Sequence, residues 1–112
     1  MIDIEIMQDA SEIIHYDSPE ISYAVQERLL SNYTDMRALC HWHDDVELLY
    51  IFDGEMNYDV NGRHYLFKKG DTIFINSRQL HYGYDQDQHE CEFMVVLIHP
   101  ELLKASNYMY RR

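Results

Sequence analysis

The sequence is 112 residues long, 46% apolar, and carries 20 acidic against 9 basic side chains, for a formal charge of −11. That length suits one domain, residues 1–112, built on one core, and the scattered lysines and arginines argue against a phosphate-binding surface, which needs them clustered. Two cysteines without a C-x2-C spacing give no disulfide framework, and neither a signal peptide nor a membrane-length apolar run is present, so the expected setting is the cytoplasm, with no membrane contact and with Cys40 and Cys91 as buried free thiols.

Ile2, Ile4 and Ile6 alternate with polar residues and predict an opening strand, with Gln8 to Glu12 as a turn. Pro19 breaks regular structure in the loop that follows. From Ile21 to Tyr33 two periods compete: Ile21, Val25 and Leu29 fit a helix, while Ile21, Tyr23, Val25 and Leu29 fit a strand with one polar interruption. Asn32 to Arg37 is a polar link. Ala38 to Phe52 is rich in apolar and aromatic types and predicts two short strands with a step at Asp44-Asp45.

Beyond Glu55 the pattern sharpens. Met56, Tyr58 and Val60 alternate with polar residues up to Asn61-Gly62, a preferred two-residue hairpin turn because both central positions need positive φ. That turn sets the register: Val60 opposite Arg63, Tyr58 opposite Tyr65, Met56 opposite Phe67, and Asp59 opposite His64 on the other face. Lys68 to Asp71 is a turn, Thr72 to Ile75 a strand, Leu80 to Tyr84 a short strand and Asp85 to Glu90 a polar loop. Cys91 to His99 is apolar enough to predict a strand covered on both sides. Pro100-Glu101 fits the start of a short C-terminal helix carrying Leu102 and Leu103. Short strands and turns at near-regular intervals indicate an all-β sandwich or barrel.

The chemistry concentrates in two spacings. The first is H-x-H-x3-E-x6-G over His41, His43, Glu47 and Gly54; the second is G-x5-N-x-R-x2-H-x3-D over Gly70, Asn76, Arg78, His81 and Asp85. Side chains at i and i+2 of a strand share a face, so His41 and His43 project together and Trp42 points away into packing. A strand that starts near Val46 brings Glu47 back to the histidine face. Two imidazoles and a carboxylate suit Zn, Ni, Fe or Mn, with His81 as fourth ligand. Two chemistries remain open: a divalent ion on His41, His43, Glu47 and His81, or a metal-free network in which Glu47 accepts hydrogen bonds and anchors a polar ligand. Arg78, near the mouth of such a barrel, can grip a carboxylate with two nitrogens or sit in solvent. His15 and His89 read as surface residues and His99 as structural. No nucleophile elbow or phosphate-cradling glycine loop is present.

The two spacings resemble the paired motifs of the cupin superfamily. The first matches over all four of its residues; the second matches at Gly70 and His81 and departs at Asn76, Arg78 and Asp85. The longer run from Leu39 to Leu103, through HWHDDVELLYIFDGEMNYDVNG, GDTIFINSRQLHYGY and CEFMVVLIHPELL, resembles the N-terminal ligand-sensing domain of AraC-type transcriptional regulators. That resemblance implies a cupin-type jelly-roll barrel. It implies a small-molecule effector of the sugar or organic acid class, held near His41, His43, Glu47, His81 and Arg78. It also implies a homodimer, with DNA contacted only by a C-terminal helix-turn-helix domain that these residues lack. The alternative is a small metal-dependent cupin enzyme, an oxygenase or isomerase, since fold and ligands do not fix function.

Overall fold

The computed structural model of the chain describes residues 4–17 and 23–101. Six strands run through them: β1 (Tyr23–Leu29), β2 (Val46–Val60), β3 (Arg63–Lys68), β4 (Thr72–Ile75), β5 (His81–Tyr84) and β6 (Cys91–Ile98). All pairings are antiparallel, and every one except β1–β6 involves β2. The first half of β2 lies between β6 and β4 in a sheet of order β1-β6-β2-β4. Its second half, from Glu55, lies between β3 and β5. One strand therefore belongs to both walls of the barrel.

The crossing has a local cause. The register against β6 slips between Ile51 and Asp53, and the chain then passes Gly54 at φ +81°. A Cβ on Gly54 would stand 2.2 Å from the Glu90 carbonyl oxygen. Only glycine offers both the left-handed backbone and the room. The inward side chains of the two halves, Leu49 and Ile51 before the bulge and Met56 and Tyr58 after it, then share one core with Phe93, Val95 and Leu97 of β6. Full burial of aliphatic side chains such as Leu49 and Ile51 stabilises by roughly 1.5–3 kcal/mol each.

The hairpin forms as its turn dictates. Val60 pairs with Arg63, Asp59 with His64, Tyr58 with Tyr65 and Met56 with Phe67, and Asn61 and Gly62 both have positive φ. Of the ambiguous stretch before the motif, Ile21 lies outside the described residues, Leu30–Asn32 is a single 3-10 turn and Tyr23–Leu29 is a strand. Packing against β6 decides it, because Ala24 and Arg28 face the buried Leu97 and Phe93.

Four expectations need correction. Ala38 to Phe52 does not hold two short strands: His41 and Trp42 make only isolated bridges, to His81 and Ser11, and regular structure starts at Val46. The opening strand reduces to one bridge, Ile6 with Glu12, around a turn at 8–10, so Glu12 lies on the returning arm; Ile2 lies outside the described residues. β6 buries one face only, through Cys91, Phe93, Val95 and Leu97, while Met94, Val96 and Ile98 are half-buried. Its outer residues join an apolar row across the sheet, Val25–Val96–Leu48–Phe74, which explains the unbroken apolar run. Cys91 is buried as expected, whereas Cys40, in the irregular segment before the histidines, is exposed. Pro100 and Glu101 are helical; the rest of the expected C-terminal helix lies outside the described residues.

Candidate functional site

His41 and His81 are held opposite each other by two backbone hydrogen bonds, His41 N–H to the His81 carbonyl at 3.1 Å and His81 N–H to the His41 carbonyl at 2.9 Å. Their rings lie 4.2 Å apart between centroids. His43 points to the same side, and Glu47 returns to it from the first turn of side chains on β2. The donor atoms of His41, His43, Glu47 and His81 all lie within 4.8 Å of one another, and all four residues are buried. The spacing thus brings together the four residues it singles out. Arg78 is not among them: its side chain is 73% exposed, its Nε donates to Asp44 at 2.7 Å, and its guanidinium stands over Trp42. Arg78 serves the cluster through its backbone, whose N–H donates to the His43 carbonyl at 2.7 Å.

The histidine tautomers follow from their partners. Nδ1 of His41 faces the Leu39 carbonyl at 2.6 Å, Nδ1 of His43 the Asp45 carbonyl at 2.9 Å and Nδ1 of His81 the Gln79 carbonyl at 2.7 Å. A carbonyl only accepts, so each Nδ1 carries the proton and each neutral ring turns an Nε2 lone pair toward the centre. Nε2 of His43 and of His81 each lie 3.2 Å from the same oxygen, Oε1 of Glu47. Lone pairs do not attract a carboxylate. The arrangement needs positive charge there, either a second proton on the rings or a cation shared by all four side chains. The donor set therefore fits a metal ion: three imidazole nitrogens with fixed tautomers and one buried carboxylate.

The electrostatics agree. Burial raises the Glu47 carboxyl, but hydrogen bonds from His43 and His81 and their charges outweigh it and hold Glu47 well below the usual carboxylate range. Burial lowers His43, but the Glu47 hydrogen bond and the charges of Glu47 and Glu12 leave it above its ordinary value. His41 is pushed down to about 4, first by burial and then by His81. Tyr58, from the second half of β2, donates to Oε2 of Glu47 at 3.2 Å. Gly83 pairs with Tyr58 across β5, and a Cβ there would stand 2.6 Å from the Met56 sulfur and 3.0 Å from the Tyr58 ring.

Sequence reasoning missed Glu12. Its Oε1 lies 3.4 Å from Nε2 of His41 and 4.0 Å from Nε2 of His43. Burial, the largest cause, pushes its carboxyl up to about 7. The position depends on a turn: Glu12 N–H donates to the Trp42 carbonyl at 2.7 Å, and Trp42 N–H to the Ala10 carbonyl at 3.0 Å. Nothing local in the sequence signals that contact. The same arm fixes the site again through Tyr16, whose hydroxyl lies 3.0 Å from both carboxylate oxygens of buried Asp45. Tyr58 was legible, since the hairpin alternation puts it on the inward face. His15 and His89 are exposed, as expected, and pair with Glu5 and Asp85.

A cavity of about 330 Å³ reaches this cluster at His41 and Glu47. It sits at the small end of the roughly 300–1,000 Å³ typical of ligand pockets. Glu12, Tyr33, Tyr58 and Arg28 add polar groups to walls formed by Leu30, Met56, Phe93, Val95 and Leu97.

The family model for the AraC-like ligand binding domain matches residues 23–107. An uncharacterized HTH-type transcriptional regulator of Bacillus subtilis, YdeC, is 22% identical over 98 residues, covering 88% of this chain; the chain spans 34% of that regulator's length. A cupin 2 conserved barrel domain protein from Salinispora arenicola superposes with a TM-score of 0.64 at 10% identity, over 98% of this chain and 99% of that one. The polyketide cyclase RemF from Streptomyces resistomycificus gives 0.59 at 22% identity, over 67% of this chain and 53% of that one. These likenesses establish the fold as a cupin barrel.

His41 and Glu12 predict opposing effects of pH. Between about 4 and 6.5 folded His41 binds fewer protons than unfolded histidine, so its contribution to stability is gained as pH rises and lost as pH falls. Between 4.5 and about 7 folded Glu12 binds more protons than unfolded glutamate, so its contribution is lost as pH rises. Glu12→Gln removes the second effect. With a chelator present, urea denaturation should show the variant gaining on the wild type from pH 4.5 to 7, by at most about 3 kcal/mol. A difference that stays constant across that window would show that Glu12 does not titrate against burial.

Proposed function

We propose that this chain, which belongs to the AraC-like ligand binding domain family, is the effector-sensing module of an AraC-type transcriptional regulator. The observation that carries the reading is a small cavity with mixed polar and apolar walls that reaches a buried, convergent polar cluster. Such a cavity suits a small effector, of the sugar or organic acid class. The likeness to an HTH-type regulator supports a role in transcription. On that basis the DNA-binding helix-turn-helix lies in a further C-terminal domain, in keeping with the charge of −11 on these 112 residues, and the working compartment is the cytoplasm. Among the described residues no helix is long and apolar enough to cross a membrane.

His41, His43, Glu47 and His81 would hold a divalent ion, Zn, Ni, Fe or Mn, which these ligand types do not discriminate. When bound, it would supply the positive charge that the cluster calls for and polarise an effector oxygen. Glu12 stands ready to balance that charge. A second reading, a metal-dependent cupin enzyme, draws on the likeness to a polyketide cyclase barrel; the family match favours the sensor.

Elemental analysis of protein made without a histidine tag tests the metal. His43→Ala and His81→Ala should each abolish it while the circular dichroism stays that of a β-protein. Metal retained when both are combined with Glu12→Gln, which removes the carboxylate beside His41, would refute the site, since His41 and Glu47 alone cannot hold an ion against buffer. Incubating loaded protein with sugars and organic acids separates sensor from enzyme: the sensor returns its ligand unchanged by mass spectrometry, and a new product would establish the enzyme.

The sensing module also pairs, on this reading, as a homodimer through the outer face of the sheet β1-β6-β2-β4. Val25, Leu48 and Phe74 of its apolar row are 44%, 38% and 56% exposed, and a contiguous apolar patch of this kind marks an association surface. Sedimentation at micromolar concentration should give the mass of two chains, and Phe74→Glu the mass of one. A single-chain mass for the wild type throughout that range would remove the dimer.

A further inference from the structure

One lining residue of the cavity plays no part in the histidine cluster. Arg28 sits on β1 directly opposite Phe93, whose ring is buried in the core. Opposed residues of an antiparallel pair project from the same face, so the Arg28 side chain enters the barrel with those of Ala24 and Gln26. One of its terminal nitrogens donates to the Glu27 carbonyl at 3.0 Å, and the Tyr33 hydroxyl lies against the guanidinium. Its Nε is buried and meets no acceptor. No carboxylate among the described residues forms an ion pair with it. Buried charged donors normally have partners, and an unsatisfied one calls for an explanation.

Arg28 is also the only arginine or lysine on the described lining of the cavity. A guanidinium presents a planar fork that matches a carboxylate with two parallel hydrogen bonds. The charge count limits the ligand further. Glu5, Glu12, Asp17 and Glu47 share the lining, so a dianion such as phosphate meets four acids for one arginine. A singly charged carboxylate adds the least negative charge that a guanidinium fork still grips with two hydrogen bonds. Leu30, Met56, Phe93, Val95 and Leu97 form an apolar wall that suits a hydrocarbon body.

We infer that Arg28 anchors the carboxylate of a small aliphatic or aromatic monocarboxylic acid, whose hydrocarbon body lies along β6 and whose far end reaches His41 and Glu47. The inference rests on the effector-sensing reading of this cavity and selects the organic acids from it. The Arg28 Nε is then a donor kept for a ligand, and the fold does not need it.

Calorimetric titration tests this with aliphatic monocarboxylates of two to eight carbons, benzoate, the matched amides, inorganic phosphate and a panel of neutral pentoses and hexoses. At least one acid should bind, its amide should bind tenfold or more weakly, and phosphate should not bind. Arg28→Met should weaken the acid at least tenfold and melt at the same temperature as the wild type or higher, because it removes an unpartnered buried donor. Arg28→Lys should recover part of the affinity. Equal binding of acid and amide, unchanged binding by Arg28→Met, or a large fall in its melting temperature would overturn the assignment, the last by making Arg28 structural. If no acid binds but a sugar does, the Arg28 inference fails and the sensor reading stands; if neither class binds, both fail.

Discussion

Three imidazoles, each with its Nδ1 proton committed to a backbone carbonyl, turn their other nitrogens toward one buried carboxylate, and the rest of the site is arranged around that constraint. The carbonyls of Leu39, Asp45 and Gln79 choose the tautomer before any ligand arrives. What remains is an electron-rich pocket that must receive positive charge. Protons on the rings or a metal ion supply it equally well in sign, and both would use the bare Nε2 that the fixed tautomers leave. Tyr58 donates to the free oxygen of Glu47 and keeps the carboxylate from turning away.

The fold serves this by making one strand do two things. Glu47 comes from the half of β2 that lies between β4 and β6, and Tyr58 from the half that lies between β3 and β5. Their contact closes the barrel at the site. Gly54 permits the crossing, since any side chain would collide with the Glu90 carbonyl. The N-terminal arm then covers the open side, bringing Glu12 to the histidines and Tyr16 to Asp45. A carboxyl held near neutrality beside three imidazoles links the arm to whatever charge the cluster carries.

Much of this was legible in the sequence where short-range rules act. Asn61-Gly62 fixed a hairpin register because a two-residue turn leaves no freedom, and the i, i+2 spacing of His41 and His43 fixed their common face. Long-range contacts were illegible for the same reason in reverse. Glu12 reaches the site through a turn and a bridge to Trp42 that no local period encodes. Arg28 lay in a stretch where helix and strand periods competed, so its inward direction emerged only with the β6 pairing. Arg78, singled out by its place near His81, turns outward to Asp44 because that carboxylate is 2.7 Å away. The apolar run of β6 gave a buried strand on both faces, whereas its outer side chains belong to an exposed apolar row.

The protein sets the histidine tautomers so that three lone pairs converge on Glu47. Nitrogen-15 long-range NMR of the ring nitrogens in chelator-treated protein at neutral pH measures this directly. His41 should appear as the neutral tautomer with its proton on Nδ1, and His43 and His81 should keep a proton on Nδ1 in every state. Addition of zinc should then move all three Nε2 resonances and leave the Nδ1 protons in place. Neutral rings with the proton on Nε2 and a bare Nδ1, in any two of the three, would contradict the account.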